Sequence, residues 1–152
     1  MKKINLRVSN LYGIYKQLPY IFFILLLIAI FTFFPLYPLI FFGMGFFLLL
    51  RILYGIIFYR NIRIEIFEDR ISMREGVFSL SKNFLELYRV KDYEVSQSFF
   101  MRIFNLMNVR LHTSDKTSPI LDFTGIPKSD VTEIIRNWVE IERKRKGVRE
   151  FD

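Results

Sequence analysis

PYIFFILLLIAIFTFF (Pro19–Phe34), a Pro35-Leu36-Tyr37-Pro38 step, and PLIFFGMGFFLLLRILYGIIFY (Pro38–Tyr59) decide how this chain folds. Between Leu18 and Tyr59 the only charged residue is Arg51. A membrane-crossing helix needs about 20 mostly apolar residues, and each run, the first counted from Leu18, is close to that length or beyond it. Two prolines within four residues each remove a backbone donor and restrict the residue before them, which breaks one long helix into two. The expectation is a helical hairpin, with helices over 18–34 and 38–59. A buried helix of a soluble domain does not reach this length. A cleaved leader is disfavoured as well, because Ala29 is the only alanine and no small-residue cleavage site follows the run.

Charge is distributed around this hairpin. The chain has a net charge of +7. Residues 1–59 hold Lys2, Lys3, Arg7, Lys16 and Arg51 with no acid, whereas residues 60–152 hold 17 Lys and Arg against 15 Asp and Glu. A basic excess beside an apolar segment fits a membrane surface and its orientation rule; a nucleic-acid binder carries it on the domain itself. Lys2, Lys3 and Lys16 flank one end of the hairpin, and Arg51, Arg60 and Arg63 the other. The turn has no basic residue. Both chain ends are therefore expected in the cytoplasm, with residues 1–17 as a basic flank. Arg51 has two readings. It marks a pathway or partner helix inside the membrane, or it snorkels to the headgroups from about 12 Å inside the end at Tyr59.

From Arg60 the composition becomes that of a water-soluble domain, expected over 60–147 with a tail at 148–152. Ile62, Ile64 and Ile66 alternate with Arg63 and Glu65, and Ile71 and Met73 continue the pattern after a turn at Glu68-Asp69. Further strands are expected near 80–88, 91–97, 107–113 and 119–124. Several short strands with turns between them indicate an antiparallel sandwich or barrel. The end of the domain reads as a helix, with Ser129 or Asp130 as cap, Glu133 in the first turn, bases at 143–146 and Gly147 after them. Its apolar stripe, Val131, Ile134, Ile135, Trp138 and Ile141 or Glu142, is expected across the mouth of the β structure, with Trp138 as a core plug.

Three separated stretches then carry a resemblance: ELYRVKD (86–92), QSFFMRIFNLMNVRLHTSDKTSP (97–119) and the RKGVRE run (145–150). With the hairpin in front of them, they resemble the membrane-flanked bacterial PH-like family. The resemblance implies an α+β membrane protein, in which a transmembrane hairpin precedes two antiparallel sheets closed by a C-terminal helix. Where the family pattern has a Gly-rich step, this chain has Asn105-Leu106-Met107-Asn108. Asn also accepts left-handed backbone angles, which preserves a turn there.

Chemistry is thinly represented. Without cysteine, disulfides, thiol catalysis and Cys-based metal sites are excluded. His112 is the only histidine, so a zinc site lacks further strong ligands, and no serine has a nucleophile-elbow context. No Gly-rich loop cradles a phosphate. Lipid-binding PH domains place Lys and Arg in the first inter-strand loop, whereas the turn here reads Phe67-Glu68-Asp69-Arg70. The more distinctive feature is SFFMRIF. Phe99, Phe100, Ile103 and Phe104 share one face of a short helical turn, and Arg102 points elsewhere. These residues either pack under the sheet as core or form an exposed patch that contacts bilayer or partner.

The expected function is a non-enzymatic module at the bacterial inner membrane. It needs no cofactor or metal, does not bind nucleic acid, and works through its hairpin with lipid and through self-association or another membrane protein. A lipid-sensing module is the alternative. A membrane-associated enzyme, with Asp92, Glu94 and His112 as its one suggestive cluster, is the third.

Overall fold

The alternating run of isoleucines at Arg63–Phe67 forms a strand, β2, but it is not the first strand. The segment read as a basic flank supplies β1 (Lys3–Arg7), paired antiparallel to β2 with Lys3 opposite Phe67 and Arg7 opposite Arg63. KINLR alternates as β2 does. Ile4 and Leu6 face the core, opposite Ile66 and Ile64, while Lys3, Asn5 and Arg7 are exposed. β3 (Arg70–Glu75) and β4 (Ser81–Glu86) complete a sheet in the order β1-β2-β3-β4. A 3-10 turn, Leu87–Arg89, breaks the period and passes the chain to a second sheet. That sheet contains β5 (Val90–Ser96), β6 (Leu106–Thr113) and β7 (Ile120–Pro127), in that order. A short helix, α3 (Phe99–Ile103), joins β5 to β6. The computed structural model describes residues 3–34 and 37–147, so Lys2, Pro35-Leu36 and the 148–152 tail lie outside the described residues.

The inner faces of both sheets and one stripe of the last helix, α4 (Val131–Lys146), share one core. Ile64, Ile66 and Ile71 from the first sheet meet Leu111 and Phe123 from the second and Ile135 from α4, all fully buried. The stripe of α4 that reaches this core is Val131-Ile135-Val139-Glu142. Ile134 and Ile141, expected in the stripe, are exposed instead, and Trp138 is a half-buried flank and not the plug. The reason is the helical phase: a four-four-three spacing centres the buried line on Val139 and turns 134, 138 and 141 to its sides. Gly147 ends the helix at φ 66°, as a C-terminal glycine does. Asn105 is the one non-glycine residue with positive φ among the described residues, at 52°, and it keeps the turn that the family makes with glycine.

Two helices, each of 24 residues and about 36 Å long, stand on this domain: α1 (Asn10–Phe33) and α2 (Pro38–Asn61). Both are long and apolar enough to cross a membrane. The first starts eight residues before the expected Leu18 and runs through Pro19. An internal proline costs roughly 3 kcal/mol, and the packing of the preceding turns offsets it. Tyr12, Gly13 and Gln17 are buried there, with Gly13 against Ile56 and Tyr59, and Gln17 lying on Gly55. The hairpin is thus inserted between β1 and β2. The Phe67–Arg70 turn, taken as the first inter-strand loop, is the second. The first inter-strand position, where the resemblance implies lipid ligands, is here occupied by the hairpin.

The joint is fixed from both sheets. β1 and β2 hold it from one side. From the other, Ser9 N–H donates to the Gly125 carbonyl (2.9 Å), and Gly125 N–H donates to Asn108 Oδ1 (2.9 Å). Gly125 has φ 62°, and the Tyr12 ring occupies the space where a Cβ would project. Gly147 has the same backbone sign with open space around it. Gly125→Ala should therefore cost the left-handed strain, about 1–3 kcal/mol, and unseat Tyr12 as well, while Gly147→Ala costs strain alone. Denaturant midpoints in detergent should fall much further for the first variant; equal falls would show that Tyr12 is not seated there.

Docking of β1 has its own readout. Lys3 Nζ lies 2.9 Å from Glu65 Oε1, and this hydrogen bond, with weaker contributions from Lys82 and Arg63, holds the Glu65 carboxyl below the ordinary range. A lowered carboxylate pKa contributes stability above the ordinary Glu value, and this fades as pH falls through the lowered one. By NMR titration, Lys3→Met should move the Glu65 pKa upward. An unmoved value would mean that the Lys3 ammonium does not engage Glu65.

Candidate membrane and partner interface

Because the strands alternate in direction, the domain has an end beside the hairpin and a far end. Arg7, Arg63, Arg74 and Lys82 are successive cross-strand partners at the hairpin end, one from each strand of the first sheet. All four are exposed, and none is in an ion pair among the described residues. Glu65, in the next row of the same face, is engaged by Lys3. Like charges directly opposite one another on a sheet disfavour the pairing, so four cations with one nearby carboxylate, itself shared with Lys3, form a strip that a further anion would stabilise. The sequence reading identified only Arg63 of these as a membrane-facing residue. Arg7 was counted in the basic flank, and Arg74 and Lys82 were not singled out. The alternation in KINLR was the signal that would have placed Arg7 in the row.

Of the other basic residues expected at the membrane surface, Lys16, Arg51 and Arg60 lie on the helices, whereas Lys3 lies on β1 at the end away from the hairpin, opposite Phe67; Lys2 lies outside the described residues. The Lys16 ammonium sits 5.6 Å from the Tyr12 ring centroid, and Arg60 is exposed in the last turn of α2. The Arg51 guanidinium lies over the Tyr20 ring at 4.9 Å. Tyr20 is only two residues into the apolar run, about 3 Å by helical rise. The antiparallel packing of α1 and α2 therefore brings Arg51 to the border of the apolar zone, because residues 55–61 of α2 are taken up by the joint. A cation on an exposed aromatic face contributes roughly 0.5–1 kcal/mol.

The SFFMRIF segment forms α3, with Ser98 Oγ accepting from the Met101 N–H. Met101 is the residue that enters the core. Phe99, Phe100, Ile103 and Phe104 are exposed, at 73, 47, 61 and 44 %, and Arg102 is exposed beside them. This decides between the two sequence readings in favour of a surface patch. Phe100 packs on Tyr15 of α1, with centroids 5.6 Å apart. A second exposed apolar point was not foreseen. In the β3–β4 loop, Phe78 is 92 % exposed and stacks on Tyr54 of α2, with centroids 6.2 Å apart and planes 14° from parallel; Leu80 is exposed next to it.

Elsewhere many polar groups are engaged with one another. His112 faces Asp92 across β5 and β6, and its Nε2 lies 3.3 Å from Glu94 Oε1. Asp92 Oδ1 accepts from the Tyr93 N–H. The cluster suggested by the sequence is thus brought together on a sheet surface. Among the described residues, no three His, Asp or Glu side chains are grouped to hold a metal. At the far end a cleft of about 810 Å³ gathers Arg70, Arg89 and Arg145 with Glu86, Asp115 and Glu142. Arg89 bridges Glu86 and Asp115 at 3.1 and 3.3 Å, and Arg145 lies 3.1 Å from Glu142. Hydrogen bonds from the Thr117 backbone and hydroxyl hold the Asp115 carboxyl below the usual range. Arg70 is in no ion pair among the described residues, and Asp69 Oδ1, on the wall of the same cleft, is buried without a hydrogen-bond partner.

No curated protein and no solved structure matches the chain. The model of the bacterial PH domain family matches residues 14–142, from within α1 to near the end of α4. The matched span includes the hairpin as well as both sheets. With two antiparallel sheets of four and three strands closed by a C-terminal helix, the chain belongs to the bacterial PH domain family.

Proposed function

We propose that this protein is a non-enzymatic module of the bacterial inner membrane, which holds a PH-like domain at the cytoplasmic surface for protein association. Both helices are apolar on all sides and mostly unburied, a composition that requires lipid or protein around them. β1 precedes the hairpin and β2 follows it, so their pairing favours entry and exit on one side. Lys16, Arg51 and Arg60 at that side favour the cytoplasm.

The observation that carries the association reading is the pair of open sheet edges. Among the described residues β4 pairs only with β3, and β5 only with β6, although the two strands are nearly consecutive in the chain; on β5 the Val90 carbonyl accepts from Arg143 of α4 (2.6 Å) and the rest of the edge is unpaired by a strand. In β4 only Leu85 is buried; Phe84 is 56 % exposed, and Val95 of β5 is 50 % exposed. Edge strands with unused backbone groups are templates for an added strand. Confinement to the membrane plane raises the effective concentration of a second copy or of another membrane protein. The basic row favours a second, compatible role at the lipid surface.

Native mass spectrometry of the full chain, released gently from its own membranes, tests this reading. Wild type should appear with a second copy or a bound membrane protein. Phe84→Lys should remove it while leaving thermal stability within about 0.5 kcal/mol, as for exposed sites generally. A monomer without companions, or an association indifferent to Phe84→Lys, would count decisively against this edge as the contact.

A further inference from the structure

The two exposed apolar points and the basic row belong to one surface. Arg51, over Tyr20, marks the border of the apolar zone on α2. Tyr54 is three residues from Arg51, about 4.5 Å along the helix, and Phe78 stacks on it. On α1, Tyr15 is five residues outside Tyr20, about 7.5 Å from that border, and Phe100 packs on it. The β3–β4 loop and α3 thus touch different helices within about 3 Å of the same level. The interfacial layer of a bilayer is about 5–7 Å deep on each side, and aromatic side chains collect there. Behind this level lie Arg7, which is three residues before α1, and Arg63, which is two after α2, with Arg74 and Lys82 continuing the row beneath the Phe78 loop.

We propose that the hairpin end of the domain is itself a lipid-binding surface for an anionic bilayer: Phe78 and Leu80 by one helix and Phe99 and Ile103 by the other enter the interfacial layer, while the Arg7-Arg63-Arg74-Lys82 row faces the anionic headgroups. Three observations fix lipid as the occupant. The patches are continuous with the hairpin. They are apolar at the tip and basic behind it, matching a bilayer with its hydrocarbon nearest the helices and its phosphates above. No member of the row is in an ion pair among the described residues, and Glu65, the carboxylate that Arg63 and Lys82 act on at longer range, is bonded by Lys3. Arg102, exposed on α3, adds the same sign beside the second patch. A lipid headgroup here is met by a sheet face and not by an inter-strand loop, because the hairpin has taken the place of that loop. The joint at Gly125 and the β1–β2 pairing hold this face at a set distance from the bilayer.

This proposal rests on the hairpin spanning the membrane, so the test reports both. Full-length protein carrying Trp138→Phe is reconstituted into vesicles of phosphatidylcholine brominated near the headgroup, with or without about 30 % phosphatidylglycerol, a composition chosen to set the surface charge. Single tryptophans replace Phe78, Ile103, Tyr88 at the far end, or Phe22 near the border within the hairpin. Emission from positions 22, 78 and 103 should be quenched at least about twofold more than from position 88. At 78 the quenching should increase with phosphatidylglycerol, and it should lose that increase in high salt or with Arg74→Glu/Lys82→Glu. Quenching at 22 but not at 78 and 103 would overturn the lipid surface and leave the hairpin reading standing; no quenching at 22 would overturn both. Indifference to phosphatidylglycerol would also overturn the proposal. So would cross-links between copies through positions 78 and 103 that shield them from quencher, since a protein would then be the occupant.

Discussion

The contact of Tyr12 with Gly125 determines how the two-helix hairpin sits on the domain. A left-handed glycine opens space on β7, the Tyr12 ring fills it, and hydrogen bonds from Ser9 and to Asn108 close the site around it. Across the joint, β1 and β2 anchor the hairpin to the other sheet with only two residues, Val8 and Ser9, between strand and helix on α1 and one, Ile62, on α2. A tether of flexible residues would leave the domain free to tumble beneath the membrane. Here both sheets grip the base of the helices, so the orientation of every strand end follows from the orientation of the hairpin.

That rigidity gives meaning to surface features that would otherwise be ordinary. Four exposed basic residues on a freely moving domain would be solvated polarity. Held in register across one sheet beside the helix bases, they become a strip facing one direction. The same holds for Phe78 and α3, which are positioned by Tyr54 and Tyr15 on the helices themselves.

Much of this was legible in the residues, and the gaps have physical reasons. The hairpin followed from uninterrupted apolar length and the Pro35–Pro38 step. β2 and β3 followed from strict alternation, and Gly147 and Asn105 from the backbone angles they tolerate. β1 was missed because a five-residue strand has a weak local signal and its partner lies beyond both helices. The face of α3 was undecided because periodicity groups Phe99, Phe100, Ile103 and Phe104 without saying whether the group points in or out. Burial of Met101 on the opposite side settles that, and it depends on the tertiary position of β6. The basic row was invisible for a similar reason. Register across four strands is a property of the sheet, and no window of sequence contains it.

The placement of β1 ahead of the hairpin also links folding to insertion. β1 is synthesised before both helices, yet its only strand partner, β2, comes after them. Closing so long a loop is entropically unfavourable for a free chain, but insertion of a two-helix unit returns the second end beside the first. If only one helix crosses, β1 and β2 are left on opposite sides of the bilayer and the sheet is one strand short, with Ile64 and Ile66 uncovered along that edge. With the hairpin crossing the membrane as proposed, completion of the sheet would report that both helices had crossed. A misinserted chain would expose an unpaired apolar edge, the feature by which cellular quality control distinguishes unfinished proteins from finished ones.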